Sequence, residues 1–312
     1  MAAFDINSVA NCCYEHNFPE VKVTRVNIEH LPVSFYERLG AEAWLMSPPC
    51  QPFTRGGKFL DDQDSRSTGF LYLTKVLSEM KNPPRFLFIE NVLNFEVSRC
   101  HERFISVIRE LGYGIREFLV SPQDQYIGIP NTRLRYYLIA ELGSAHNGDK
   151  IYSSFAEFFE AFPAEKPVDL PFFPEPRPIG EFIRDFGDES LTVPLHYLTE
   201  WKDYRHDITQ ASSRRSSTFT KAYGSKHIIG TGSFLQTKRL DLEYEPDDRV
   251  ILPTLGLRFF SPREVALLHA FPIESGYFSF PPSITKSQQY KLLGNSMNID
   301  VVSLLFRLLF HK

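Results

Sequence analysis

Through the first half of the chain, short apolar runs that stop at turn residues alternate with amphipathic stretches. Ala2-Ala3-Phe4 leads to Asp5, and a helical stretch through Val9, Ala10, Cys13 and Tyr14 ends near Phe18-Pro19. Ala43-Trp44-Leu45-Met46 reads as a buried strand that stops at Ser47-Pro48-Pro49-Cys50. A helix is predicted from Thr68 to Met80, with Phe70, Leu71, Leu73, Thr74 and Leu77 on one side. Arg85-Phe86-Leu87-Phe88-Ile89 is a second buried strand, ending at Glu90-Asn91-Val92. Phe104 to Leu111 reads as helix, and Arg133 to Ala140 as a further strand. Strands alternating with helices predict an α/β fold with a parallel, doubly wound sheet. The alternation fails between Ala145 and Pro194, where proline is dense from Pro163 to Pro178, as in a connection to a smaller lobe. Later, Ser261-Pro262-Arg263-Glu264 has the form of a helix start, with a capping serine, a proline at the first position and a glutamate to close the capping box.

Composition narrows the class without naming it. The 312 residues, 43% hydrophobic and 23% charged, suit one large globular domain and a lobe. No run of about 18 apolar residues predicts a membrane span, and Met1–Asp5 has no basic segment ahead of an apolar one, as a secretory signal would. Cys12, Cys13, Cys50 and Cys100 have the spacing of neither a disulfide framework nor a zinc site, so no metal is expected. Reduced thiols point to the cytoplasm or nucleus. The net charge of −4 argues against a protein that coats nucleic acid, but charge is unevenly placed. From Trp201 to Arg239, the basic residues Lys202, Arg205, Arg214, Arg215, Lys221, Lys226, Lys238 and Arg239 meet only Asp203 and Asp207.

Two motifs follow buried strands, where open α/β sheets place their ligands. In Pro48-Pro49-Cys50-Gln51 the prolines fix the backbone and project a thiol from a turn, with Gly56-Gly57 as hinges behind it. In Glu90-Asn91-Val92 a carboxyl group stands at the end of an apolar strand, where a raised pKa would suit it as an acid. The third motif is Arg133-Leu134-Arg135. Residues two apart on a strand share a face, so both guanidinium groups are expected to converge, favouring a thiolate and holding a carbonyl or phosphate. Taken singly, these motifs have plainer readings: a loop with a buried thiol, a surface turn, a solvated strand face. Their order is harder to explain that way.

That order, with the late Gly294-Asn295-Ser296, resembles the cytosine-5 methyltransferases. More narrowly, Met46 to Arg55, Leu292 to Ser296, Tyr223-Gly224-Ser225 and Gly230-Thr231-Gly232-Ser233 resemble the branch once classed with DNA methyltransferases but acting on aspartate transfer RNA. The resemblance implies S-adenosylmethionine as methyl donor and a target base that is flipped or already unstacked. It implies that Cys50 adds to the cytosine ring, that Glu90 protonates ring N3, and that Arg135, supported by Arg133, holds the carbonyl. It also implies a donor pocket of Phe4, Asp5, Ile28, Glu29, Ser47, Asn295 and Ser296. The basic lobe, through Arg214, Arg215, Thr218, Lys221 and Lys226, would meet transfer RNA.

The chain departs from the pattern in two places. The family's first strand and its glycine loop, which wraps the methionine part of the donor, would precede Asp5, yet Gly40 is the sole glycine before Gly56. The expectation is a sheet lacking its first strand, with backbone groups unpaired on both neighbours. Thr218-Phe219-Thr220 stands where that branch has Cys-Phe-Thr. The sequence thus predicts a catalytic domain over 1–145, a target-recognition lobe and linker over 146–285 and a C-terminal helix over 286–312 that returns to the catalytic domain. It predicts a monomer that does not enter membranes. The competing readings are a DNA cytosine-5 methyltransferase and an inactive nucleic-acid-binding protein.

Overall fold

A computed structural model describes residues 1–49, 61–199, 205–225 and 230–310. The chain forms two compact units: Met1–Val120, Leu134–Pro167 and Leu304–Lys312 in the first, Ser121–Arg133 and Val168–Ser303 in the second. These are not the contiguous segments read from the sequence: 121–133 and 286–303 group with the second unit, and 146–167 with the first.

In the first unit, β1 (Ala3–Phe4) is followed by α1 (Ser8–Asn17), capped by Asn7, whose side chain accepts from the Val9 and Ala10 amides. β2 (Val23–Thr24) and α2 (Val33–Leu39) follow, the helix ending where Gly40 takes the left-handed conformation at φ 53°. Then come β3 (Ala43–Met46), α3 (Thr68–Glu79), β4 (Phe86–Val92), α4 (Arg99–Glu110), β5 (Tyr113–Val120), β6 (Arg135–Leu142), β7 (Asn147–Tyr152) and α5 (Phe155–Ala161). The strands pair in the order β3-β4-β6-β5-β7. Phe86 to Ile89 and Tyr136 to Ala140 are almost wholly buried, as befits strands covered on both faces. On one face Phe70 and Leu77 of α3 and Phe104, Ile105 and Ile108 of α4 close the core over Leu87, Ile89, Tyr136 and Leu138.

The sheet is mixed rather than parallel. β3 runs parallel to β4, and β5 to β7, but β6 is antiparallel to both its neighbours. β5 is absent from the sequence reading because Arg116 and Glu117 interrupt its apolar run. Both are nevertheless buried and paired: Arg116 with Glu165 at 2.6 Å, Glu117 with Tyr136 at 2.5 Å. β1 pairs in parallel with β2 as a separate two-stranded sheet. Among the described residues, β1 is hydrogen-bonded to β2 alone and β3 to β4 alone, and Leu45 on β3 is 55% exposed.

The second unit contains α6 (Leu195–Thr199), the short parallel pair β8 (Ile208–Thr209) and β9 (Phe234–Leu235), α7 (Pro262–Leu268) and α8 (Lys286–Asn295). The predicted capping box of α7 is formed, Ser261 and Glu264 each accepting from the other's backbone amide. Glu264, fully buried, also takes both terminal nitrogens of Arg258 at 2.8 Å and the amides of Arg184 and Asp185. Phe219, Tyr223, Phe234, Phe259, Phe260 and Tyr290 form its aromatic core. Gly224, at φ 69°, is needed here, since a Cβ would stand 2.6 Å from the Tyr290 ring.

α9 (Ile299–Leu309) completes the fold. Its Phe306 and Phe310 meet Phe88 and Phe86 of β4 edge-on. Lys286–Leu309 is long and apolar enough by composition to cross a membrane. It is broken between α8 and α9, and Val301, Val302, Leu304, Leu305, Leu308 and Leu309 are buried, the mark of a core helix.

Candidate active site

Two parallel strands bring the predicted motifs to one end of the first unit's sheet. Met46 of β3 pairs with Ile89 of β4, so Ser47-Pro48 leaves the sheet beside Glu90-Asn91-Val92, the last residues of β4. Asn91, 1% exposed, donates from its side chain to the Pro48 carbonyl at 3.3 Å, tying the segment after β3 to the end of β4. β6 supplies the third group. Its register sets Arg135 against Val92 and Tyr137 against Glu90, and Arg135 Nε lies 3.6 Å from Glu90 Oε1 with both side chains largely buried. A carboxylate and a guanidinium held this way offer an acceptor or proton donor beside a rigid cationic fork, enough to grip an amide-like ring edge. Cys50 lies outside the described residues. Of the other thiols, burial pushes Cys13 up to about 11, and burial followed by nearby Asp61 pushes Cys100 up to about 12, so neither is a nucleophile near neutrality.

β6 begins at Arg135, so the two-residue rule does not reach back to 133. Arg133 is 2% exposed and spans the second unit, donating to the carbonyls of Phe219 and Gly294 at 3.2 Å each and to that of Ser296. It braces the C-terminal end of α8, where helix carbonyls have no partner of their own. Gly294 faces the same segment: a Cβ there would fall 2.1 Å from the Lys221 nitrogen.

The expected donor residues are divided between the units. Asp5 is exposed at the end of β1, one carboxylate oxygen accepting from the Asn7 amide at 2.7 Å. Phe4 is half-buried against Phe35, and Ile28 and Glu29 follow β2 on a short helical turn, Glu29 accepting from the Thr68 hydroxyl at 2.7 Å. Ser47 is exposed after β3. An exposed carboxylate at a strand end beside a half-buried aromatic ring fits the ribose and adenine of a nucleoside. Asn295 and Ser296 end α8 in the second unit, the Ser296 hydroxyl returning to the Leu293 carbonyl.

The predicted substrate residues are mostly engaged already. Arg214 pairs with Glu175 at 3.1 Å and donates to the Pro176 carbonyl, and Arg215 pairs with Asp207 at 2.7 Å. The Thr218 hydroxyl donates to the Thr132 carbonyl. Lys221 has no ion pair among the described residues, and Lys226 lies outside them. The seam that holds Thr218 escaped the sequence reading. Thr132 donates to the Ser216 carbonyl, Asn131 to that of Ser217, and the Ser216 hydroxyl to that of Pro130. A groove of about 490 Å³ over α4 and β5, lined by His101, Ile105, Arg109 and Glu117, contains none of the predicted site residues.

An α/β sheet that brings a carboxylate and an arginine together at adjoining strand ends agrees with a methyltransferase fold. The chain matches the C-5 cytosine-specific DNA methylase family over residues 1–311 and belongs to it. It is 36% identical to a tRNA (cytosine(38)-C(5))-methyltransferase of Spodoptera frugiperda, covering 99% of this chain and 91% of that one. The Homo sapiens protein of the same name is 33% identical, covering 99% and 92%. The solved S. pombe Dnmt2 methyltransferase has a TM-score of 0.80 at 32% identity, covering 99% of this chain and 90% of that one. The chain is therefore an enzyme of the cytosine C-5 methyltransferase family, whose methyl donor is S-adenosylmethionine.

Proposed function

We propose that this protein methylates carbon 5 of a cytosine in the anticodon loop of aspartate transfer RNA, through Cys50, in the cytoplasm or nucleus. The observation that carries the reading is the tie between strand ends: Asn91 of β4 is bonded to Pro48, which precedes Cys50 by two residues in sequence, and the adjacent Glu90 lies 3.6 Å from Arg135 of β6. Cytosine carbon 5 is too poor a nucleophile on its own. The Cys50 thiolate would add to ring carbon 6, while Glu90 delivers a proton to N3 and Arg135 holds the exocyclic oxygen, making carbon 5 nucleophilic. S-adenosylmethionine, when bound, supplies the methyl group. Loss of the carbon-5 proton to a base then lets the Cys50 thiolate leave and restores the ring. Asp5, with Phe4 beside it, would hold the nucleoside end of the donor, and Glu29 and Ser47 would line the same strand ends.

Transfer RNA is favoured over DNA by the names of most relatives, although one relative, from Dictyostelium discoideum and 36% identical, is named a DNA (cytosine-5)-methyltransferase. The test follows methyl label from S-adenosylmethionine into an aspartate transfer RNA transcript, the same transcript with the anticodon-loop cytosine replaced by uracil, and a DNA duplex. Label only in the cytosine-containing transcript is expected, and label in DNA alone would overturn the RNA reading. RNA binding without transfer, together with no calorimetric binding of S-adenosylmethionine, would make the protein a nucleic-acid-binding module.

A further inference from the structure

Behind Arg135 lies a buried polar cluster that the methyl-transfer chemistry does not use. Glu117, 3% exposed in the middle of β5, directs one oxygen at two donors. The Tyr136 hydroxyl donates to it at 2.5 Å, and His101 Nε2, on the first turn of α4, lies 2.5 Å from the same oxygen. Tyr136 is fully buried. Burial, and then the neighbouring Glu117, holds its phenol far above the ordinary range, so it remains a donor at any working pH. Phe95 packs against both the His101 and Tyr136 rings, which also meet each other edge-on at 5.4 Å. On one side lie the apolar Phe70, Phe104, Ile105 and Leu138, while His101 and Glu117 also border the groove over α4 and β5.

A carboxylate in such surroundings is costly. An apolar core of the same shape would be at least as stable, because hydrogen bonds return little more than the desolvation they require. Buried polar groups of this kind are best explained where they fix register. The register at stake is that of β6. Arg135 is its first residue, the position most prone to fray, and Tyr136 follows it immediately, opposite Asn91 on β4 and Leu119 on β5. A slip of one residue would turn Arg135 to the opposite face of the sheet and away from Glu90. The cluster also reaches the other half of the site. Phe95 sits on the short helical turn Phe95–Val97, which joins the Glu90-Asn91-Val92 end of β4 to α4.

We infer that Glu117, bonded to Tyr136 and His101, is a positioning group that locks the start of β6 so that Arg135 faces Glu90. The inference rests on the proposed roles of Arg135 and Glu90. It predicts that polarity at this cluster serves geometry rather than stability.

The experiment compares Tyr136→Phe, Glu117→Gln and the apolar triple variant His101→Leu, Glu117→Leu, Tyr136→Phe in the full chain. Melting temperature, amide hydrogen exchange along β6 and the kinetics of transfer RNA methylation are measured on each. The triple variant should melt no lower than the parent. Protection of the Arg135, Tyr136 and Tyr137 amides should fall by about tenfold or more, while that of Ile139 and Ala140 is kept, and kcat should fall about tenfold to a hundredfold with KM for RNA unchanged. Tyr136→Phe, the mildest change, should move the same amides in the same direction even if the other variants fail to fold. Parent-like protection and kcat in a folded triple variant, or in Tyr136→Phe, would overturn the inference. If the parent chain methylates no RNA, the proposed function fails by itself, and amide protection at 135–137 still decides the positioning role.

Discussion

Arg133 and Arg135 are two positions apart, yet their guanidinium groups touch different things. Arg135 meets a carboxylate at 3.6 Å at the mouth of the sheet, whereas Arg133 is buried among three carbonyl oxygens of the second unit. Substituting each by methionine should therefore separate stability from catalysis. Arg133→Met leaves buried helix-end carbonyls without donors and should cost about 2–4 kcal/mol in a denaturant melt. Arg135→Met should leave the melt nearly unchanged and lower kcat for RNA methylation by about a hundredfold or more. Equal losses of stability would refute the division. Glu90 and Arg135 were legible in the sequence because both sit where an apolar run meets a polar residue. The different role of Arg133 was not, because Arg-Leu-Arg ahead of Tyr-Tyr-Leu reads as continuous strand. The tether that ends the strand is made by Asn131 and Thr132 with a segment distant in sequence. Glu264 couples stability to pH. Burial raises its pKa, but the Arg258 guanidinium and the Ser261 and Arg184 amides outweigh that and leave it below the ordinary glutamate range. A carboxylate depressed in the folded state gives stability that is full above its unfolded pKa and is lost as pH falls through the folded one. Glu264→Gln should thus destabilise the protein at neutral pH and flatten the acid side of its stability–pH curve. An unchanged acid limb would show that the pair does not control it.

At the scale of elements, helix starts and apolar strands were the readable features. The α7 capping box is encoded in four adjacent residues, and β3 and the Phe86–Ile89 part of β4 are unbroken apolar runs. β5 was hidden because its two charged residues are neutralised by partners that local pattern cannot show, Glu165 for Arg116 and Tyr136 and His101 for Glu117. The direction of β6 was hidden too, since period-two patterning is the same for a strand run either way. α8 is held by contacts that leave no room. Gly294→Ala would place a methyl 2.1 Å from the Lys221 nitrogen and 2.2 Å from the Thr220 carbonyl carbon, both backbone atoms that cannot step aside. A loss of about 3 kcal/mol or more is expected in equilibrium unfolding, far beyond what the same change costs on an exposed helix, where alanine is the better residue. A neutral or stabilising result would mean that the 220–221 turn can be displaced.

Over the whole molecule, the charge pattern in the sequence and the charge available in the structure differ. The basic stretch from 202 to 239 holds only Asp203 and Asp207 in sequence. Folding brings Glu245 to Arg205 and Glu175 to Arg214, and sets Arg215 on Asp207, while Arg239 donates to the Thr254 hydroxyl. Lys221 and Lys238 have no ion pair among the described residues and are left as ready phosphate contacts, while Lys202 and Lys226 lie outside the described residues. Each phosphate neutralised releases counterions, so the slope of log K against log salt counts the contacts made, at roughly 0.7–0.9 per contact. Binding through Lys202, Lys221, Lys226 and Lys238 alone should give a slope of about −3, whereas engagement of the four arginines as well would bring it to about −6 or −7. Lys221→Ala should make the slope shallower by roughly 0.7–0.9, whichever RNA sequence is offered, because phosphate contacts do not read bases. Glu175→Gln supplies the opposite arm: it releases Arg214, and the slope should steepen by about one contact. A parent slope near −7 would mean that RNA displaces the carboxylates from their arginines. The exposed ion pairs would then open as the substrate docks, a cost small enough for such pairs to bear, since each contributes about 1 kcal/mol or less.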